Sequence, residues 1–227
     1  VPVELHLFRA GEHGFGLGIT GLPEDQRRTM AFSFIDVLAA LHAVDPDEVG
    51  LGDLGKKEDY VGRQLKTWYR SWMASIEPAD FDDPRAHELQ EFFLENVPDQ
   101  GPARIVHGDY GLHNCLVGPD CTIAAVVDWE ISTLGDPMAD LAYALNFWPD
   151  PTDPEPPPPE SATAPPGFPT RTEIAARYAE QTGRDLPQVG PHGVPVLPDQ
   201  QKAAPVVDRC DRDSPRVPEH VAHDDLP

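Results

Sequence analysis

Proline marks off where this chain can hold regular structure. Of its 27 prolines, 17 fall in the last 77 residues, from Pro151 onward. Each one lacks the N–H that helices and sheet ladders use and restricts the residue before it. Residues 151–169, within the run PDPTDPEPPPPESATAPPGFP, therefore read as a long loop of polyproline character. Residues 186–227 carry a breaker every few positions and read as a disordered tail. At the other end, residues 1–20 show no period, and Gly11, Gly14, Gly16 and Gly18 favour irregular backbone. A core has to come from residues 21–150, joined by one further helix at 170–185.

Within that core the periodicity is helical first. Acidic residues open a segment from Glu24 to Val44 whose apolar members Met30, Phe34, Val37, Leu38 and Leu41 recur at three and four residues, and Pro46 stops it. A second helix is expected from about Asp59 to Ile76, with Val61, Leu65, Trp68, Trp72 and Ile76 on one stripe and the two tryptophans in the core. A third runs from about Pro84 to Asn96. Past the PDQGP turn the pattern shortens to strand candidates at Arg104–Val106, Asn114–Val117 and Thr122–Val127, with GPD at 118–120 turning the last two into a hairpin. Helix returns from Pro137 to about Trp148, with proline in the first turn where its missing N–H does no harm. Thr170 and Glu173 then suit a capping box, and Gly183 a helix stop.

The charge narrows the partners. With 17 basic against 39 acidic residues, the net charge of −22 disfavours nucleic acid and anionic membrane. Three cysteines, Cys115, Cys121 and Cys210, cannot all pair with one another and match no zinc spacing. No apolar run approaches the roughly 20 residues that span a bilayer, and the start has no secretory pattern. A soluble protein in the reducing cytoplasm is expected.

The chemistry is concentrated in IVHGDYGLHNCLVGPDCTIAAVVDWE, residues 105–130. His107 and Asp109 follow a strand, Asn114 lies five residues past Asp109, and Asp128 closes a hairpin whose first strand begins at Asn114. Phosphoryl transfer needs a carboxylate to orient an acceptor hydroxyl and hard oxygen ligands for divalent metals that neutralise the transferring phosphate. Asp109 can take the first role, and Asn114 and Asp128 can offer Mg²⁺ an amide oxygen and a carboxylate. A hairpin can bring these two, 14 residues apart, to one ion.

HGDYGLHN has the form HGDxxxxN, which resembles the catalytic loop of the aminoglycoside phosphotransferase and choline kinase family, relatives of the protein kinases. VVDWE sits where that family carries its metal-binding Asp, and STLGDPMADLAYALNFW is similar to its GDPxxDLA segment. The texture of 22–55 and of GFPTRTEIAARYAEQTGRDL is similar to the group that includes the kinase-like domain of certain acyl-CoA dehydrogenase fusion proteins. The resemblance covers about residues 21–185. It implies an α+β fold, a protein-kinase-like C-terminal lobe that is mostly helical with a small β hairpin at the active site. It also implies Asp109 as catalytic base, Asn114 and Asp128 as Mg²⁺ ligands, His107 as a catalytic-loop residue that orients the loop, and Asp136 and Asp140 as supporting acids. ATP is then the co-substrate and a small molecule bearing a hydroxyl the acceptor.

The pattern departs from the family upstream. A kinase of this type uses a smaller N-terminal lobe with a nucleotide-covering loop, a strand lysine and a helix glutamate. The only lysines are Lys56, Lys57, Lys66 and Lys202, none on an apolar strand before the catalytic loop. GFGLG at 14–18 is a weak match to a phosphate loop, because a polar helix start follows it. The loss of pattern on both sides of a well-matched middle reads as a truncated gene product with out-of-frame ends. Two functions therefore stand: an ATP- and Mg²⁺-dependent small-molecule phosphotransferase, or a catalytically inactive C-lobe remnant that acts at most as a binding module. A binuclear metal phosphoesterase built on His107, Asp109 and Asn114 would need further metal-spaced acids and histidines, which the sequence does not supply. His220 and His223 resemble a metal tail only superficially.

Overall fold

The computed structural model describes residues 22–157 and 161–186. The glycine-rich start with GFGLG, Lys202, Cys210, and His220 and His223 lie outside the described residues. The chain divides into two compact units, 1–64 with 98–197, and 65–97 with 198–227.

In the first unit, α1 (Glu24–Ala43) is the central helix, buried along Met30, Ala31, Phe34, Ile35, Leu38, Ala39 and His42. That face is wider than the expected stripe. Ile35, Ala39 and His42 join it, whereas Val37 and Leu41 are only partly covered. The reason is that α1 has neighbours on two sides, packing against α5 (Arg171–Thr182) and also against β1 (Arg104–Val106) and β3 (Ile123–Val126). Met30, Phe34, Ile35 and Leu38 are fully buried, each stabilising the fold by about 1.5–3 kcal/mol. Phe34 also meets the Tyr110 ring at 4.7 Å and Trp148 at 6.0 Å, and the Tyr110 hydroxyl donates to the Phe34 carbonyl at 2.7 Å. Cys115 is buried beside Tyr110, and burial pushes its thiol up to about 12, which makes it a core residue rather than a nucleophile.

Four short strands form two antiparallel pairs. β2 (Cys115–Val117) pairs with β3 through Cys115↔Val126 and Leu116↔Ala125, with a bulge before Val117↔Ile123. The expected GPD turn closes it: Gly118 N–H donates to the Thr122 carbonyl, and the Asp120 carboxylate accepts from the Thr122 amide and hydroxyl. Asn114 belongs to a 3-10 turn, Leu112–Asn114, rather than to the strand. β4 (Thr133–Gly135) pairs with β1, Arg104↔Gly135 to Val106↔Thr133; three residues are too few to show a period in the sequence. α4 (Pro137–Leu145) starts on the Asp136 side-chain cap with proline at its first turn and ends three residues before Trp148. α5 carries the expected capping box between Thr170 and Glu173, and Gly183 ends it at φ 65°.

The described residues of the proline-rich segment are irregular yet docked. Arg171 donates to both Asp153 carboxylate oxygens, at 2.6 and 2.8 Å, and Asp150 accepts from the amides and hydroxyls of Thr152 and Thr172. Phe168 packs on Trp148 at 5.9 Å. Gly167 sits at φ 93° so close to α1 that a Cβ would lie 2.4 Å from the Glu24 carbonyl, so only glycine fits.

The second unit holds the rest of α2 (Tyr60–Ala79) and α3 (Pro84–Glu95). α2 runs past Ile76 with Pro78 in its last turn. Asp83 caps α3 by accepting from the Arg85 amide, and Tyr69 bonds His87 at 2.6 Å. Trp72 meets Phe81, but Trp68 is 74% exposed, which corrects its expected place in the core. The described part of this unit is two helices, too little to cover both tryptophans.

Candidate active site

The site is built where β1 ends. Leaving Val106, the chain turns through His107, Gly108 and Asp109, with Gly108 at φ 88°, a left-handed conformation that favours glycine. Beneath this turn lies Asp140 of α4, 2% exposed, whose carboxylate accepts from the His107 amide at 2.6 Å and the Gly108 amide at 2.8 Å. His42 of α1 approaches the same carboxylate at 3.4 Å through Nε2, and its Nδ1 lies 2.7 Å from the Tyr178 hydroxyl of α5. The donors that meet its oxygens offset the cost of burying so polar a group. Three helices thus hold the loop backbone from below. Asp136, the other supporting acid, caps α4.

His107 is fully buried, its ring near Trp129 at 4.8 Å and Tyr110 at 5.9 Å. Its Nδ1 accepts from the Asp109 amide at 3.3 Å, which puts the ring proton on Nε2, where it donates to the Val127 carbonyl at 2.9 Å. Both ring nitrogens are therefore spent on backbone, tying the loop after β1 to the end of β3.

Asp109 faces outward, with 33% of its side chain exposed. Its Oδ2 accepts from Asn114 Nδ2 at 3.1 Å and lies 3.2 Å from His113 Nε2, and the carboxylate also accepts from the Tyr143 hydroxyl. Partial burial pushes its pKa up, but the bonds from Tyr143, His113 and Asn114 outweigh it and hold the carboxyl below the usual aspartate value. The same contact acts in reverse on Tyr143: burial and the adjacent carboxylate push its hydroxyl up to about 12.

Asn114 also donates Nδ2 to the Asp109 carbonyl at 2.9 Å, leaving its amide oxygen as the acceptor for a further partner. Its own carbonyl accepts from the Val127 amide at 2.9 Å, which extends the hairpin register by one step and brings Asp128 to the residue after Asn114's partner. Asp128 is exposed at φ 67°, a left-handed position that aspartate tolerates better than most residues and that marks functional sites often enough to notice. An amide oxygen and a carboxylate are the hard donors that suit Mg²⁺, which takes one or two protein oxygens and fills its octahedron with water and phosphate. No group of three or more His, Cys, Asp or Glu suited to a metal occurs among the described residues. Glu130 lies in the exposed turn after Asp128.

Two contacts to Asp109 were not legible as such. Tyr143 sits in the apolar run LAYALNFW, where nothing marks one ring as facing a carboxylate 34 residues earlier. His113 lies inside the motif at a position with no assigned role. The four-residue spacing of Tyr143 and Phe147 was the one available signal.

The family model described as the phosphotransferase enzyme family, APH, matches residues 2–189. The chain belongs to that family. The match takes in residues 2–20, where the motifs showed no pattern. A solved structure from Ralstonia eutropha JMP134, described as an aminoglycoside phosphotransferase, superposes with a TM-score of 0.61 at 30% identity, over 73% of this chain and 50% of that one. The fold is therefore the kinase-like, mostly helical α+β fold of phosphotransferases. Among curated proteins, acyl-CoA dehydrogenase family member 11 of Gallus gallus is 38% identical over 134 residues, and that of Homo sapiens 34% over 137. The aligned segments are 56% and 59% of this chain but 17% of each relative, so the chain spans about a sixth of the curated relatives it matches. Among the described residues, no helix is long and apolar enough to cross a membrane.

Proposed function

We propose that this family member transfers the γ phosphate of ATP to a hydroxyl of a small molecule, in the cytoplasm and with Mg²⁺. The observation that supports the reading is the link made by Asn114, which bonds Asp109 with its side chain and Val127 with its backbone, so that the backbone of Asp128 follows directly on the partner of a residue that touches the acid. Asp109, ionised at neutral pH, orients the acceptor hydroxyl and receives its proton as the phosphate bond forms. Asn114 and Asp128 would hold Mg²⁺, which supplies charge neutralisation on the phosphates. His107 and Asp140 keep the loop in place. The net charge of −22 opposes nucleic acid and anionic membrane as partners.

A second reading, a chain that binds ligand without turnover, draws on the lysines. Lys57 Nζ is engaged with both Asp47 carboxylate oxygens at 2.6 and 2.7 Å, and no lysine precedes Lys56. Calorimetry of MgATP binding to the full chain, with labelled-phosphate transfer to an amino sugar, an amino alcohol and a hydroxyacyl thioester, separates the two. The kinase reading expects MgATP binding that Asp128→Ala weakens, and transfer that Asp109→Asn cuts by about 10²–10⁴-fold without loss of MgATP binding. A folded sample that binds no MgATP leaves the family membership standing and removes the kinase reading.

A further inference from the structure

The exposed side of the catalytic loop carries rings that the reaction outlined above does not use. Tyr143 in α4 and Phe147 just beyond it stand edge to face, with centroids 5.5 Å apart, and the His113 ring meets Phe147 at 6.0 Å. The Tyr143 hydroxyl bonds the Asp109 carboxylate, and His113 Nε2 lies 3.2 Å from Asp109 Oδ2. Tyr143 and Phe147 are 36% and 38% exposed. The core does not need these rings at the surface, since the α4 residues it takes are Leu141, Ala144 and Leu145, with Asp140 beneath the loop. One patch thus joins a half-exposed carboxylate to ring surface, the combination of a few placed polar groups and an apolar lining that small-molecule sites use. Among the described residues, the side chains bonded to the Asp109 carboxylate are Tyr143, His113 and Asn114, none of them acidic. An acceptor with several positive charges would meet one acid here, whereas an apolar skeleton would meet two aromatic side chains.

Resting on the reading of Asp109 as the residue that meets the acceptor hydroxyl, we propose that Tyr143 and Phe147 form the acceptor wall. They take a small alcohol with an apolar face beside its hydroxyl, the hydroxyl on Asp109 and the apolar face on the two rings. Tyr143 is also a positioning residue, because its hydroxyl holds the carboxylate that the alcohol approaches. The two side chains set which alcohols fit, and they do so before any nucleotide is bound.

The test is ligand-observed saturation-transfer NMR on the full chain without nucleotide, with benzyl alcohol as probe and glycerol as a polyol lacking an apolar face. Saturation is expected to reach the benzyl ring protons and to be weak on glycerol. Tyr143→Ala is expected to weaken benzyl alcohol binding by about 2- to 10-fold, the factor an aromatic contact supplies. Tyr143→Phe, which keeps the ring, restores most of it, and Phe147→Leu gives an intermediate loss. Thermal melts that match the parent chain show that these substitutions leave the fold intact. Benzyl alcohol bound no better than glycerol, or bound equally by the parent and Tyr143→Ala, overturns the wall. Phosphate transfer that survives Asp109→Asn overturns the base reading instead, and the NMR outcome still judges the wall.

Discussion

Beneath the catalytic loop, the Asp140 carboxylate is closed off from water and accepts the amides of His107 and Gly108; on the rim, a third of the Asp109 side chain is exposed and its carboxylate is held by side chains from Asn114, His113 and Tyr143. Backbone donors cannot leave when a substrate arrives, so Asp140 is committed to shape. Side-chain donors on a half-exposed carboxylate can rearrange, and a substrate hydroxyl can join them. The two aspartates belong to one family motif set, yet burial and the type of donor give them different work.

The sharpest way to break this contrast is to exchange the losses. Asp109→Asn is expected to cut phosphate transfer by about 10²–10⁴-fold while shifting stability by less than about 1 kcal/mol, read by transfer assay and by denaturant titration. Asp140→Ala is expected to do the reverse first: it strands the buried His107 amide and the partly buried Gly108 amide and costs about 3 kcal/mol or more, read as a lower urea midpoint. Equal stability losses from the two substitutions would remove the distinction between underside and rim. A smaller effect tests how far the underside extends: Tyr178→Phe removes the partner of His42 Nδ1 and is expected to cost about 1 kcal/mol by the same titration.

Acid titration probes a third aspartate, at the docked proline-rich segment. Burial pushes the Asp150 carboxyl up, but bonds from Thr172 and Thr152 hold it down at about 2, against 3.8 for a free group. The folded form therefore holds fewer protons than the unfolded chain between those values. Its contribution is complete above pH ~4 and fades as pH falls toward 2; Asp150→Asn is expected to flatten that part of the stability curve. Thr170→Ala, which removes the capping box of α5, has the smallest expected effect among these losses of contact, about 1 kcal/mol or less, seen as a small drop in thermal midpoint.

Much of the fold was legible because its signals are local. The 3.6-residue period of α1, the cap residues of α4 and α5, and the GPD turn of the hairpin all act over a few residues. HGDYGLHN and VVDWE could be placed near one another because a short hairpin leaves the chain little choice. The Trp68 expectation failed for the opposite reason, since an apolar stripe states that a face can be buried but not whether a neighbour covers it. β4 left no mark in three residues. Tyr143 left only its four-residue spacing from Phe147, because its contact with Asp109 is tertiary and one ring in an apolar helix looks like any other.

Short-range period, turn chemistry and motif spacing were enough for the helices, the hairpin and the family resemblance, and they singled out Asp109, Asn114 and Asp128 as candidates. Only the tertiary structure decided that Asp140 is sealed under the loop with His42 and Tyr178, that His107 spends both nitrogens on backbone, and that Tyr143 stands against Asp109. Those outcomes depend on which helices pack across tens to more than a hundred residues of chain, and a carboxylate acquires its character from the burial and donors that such packing brings to it.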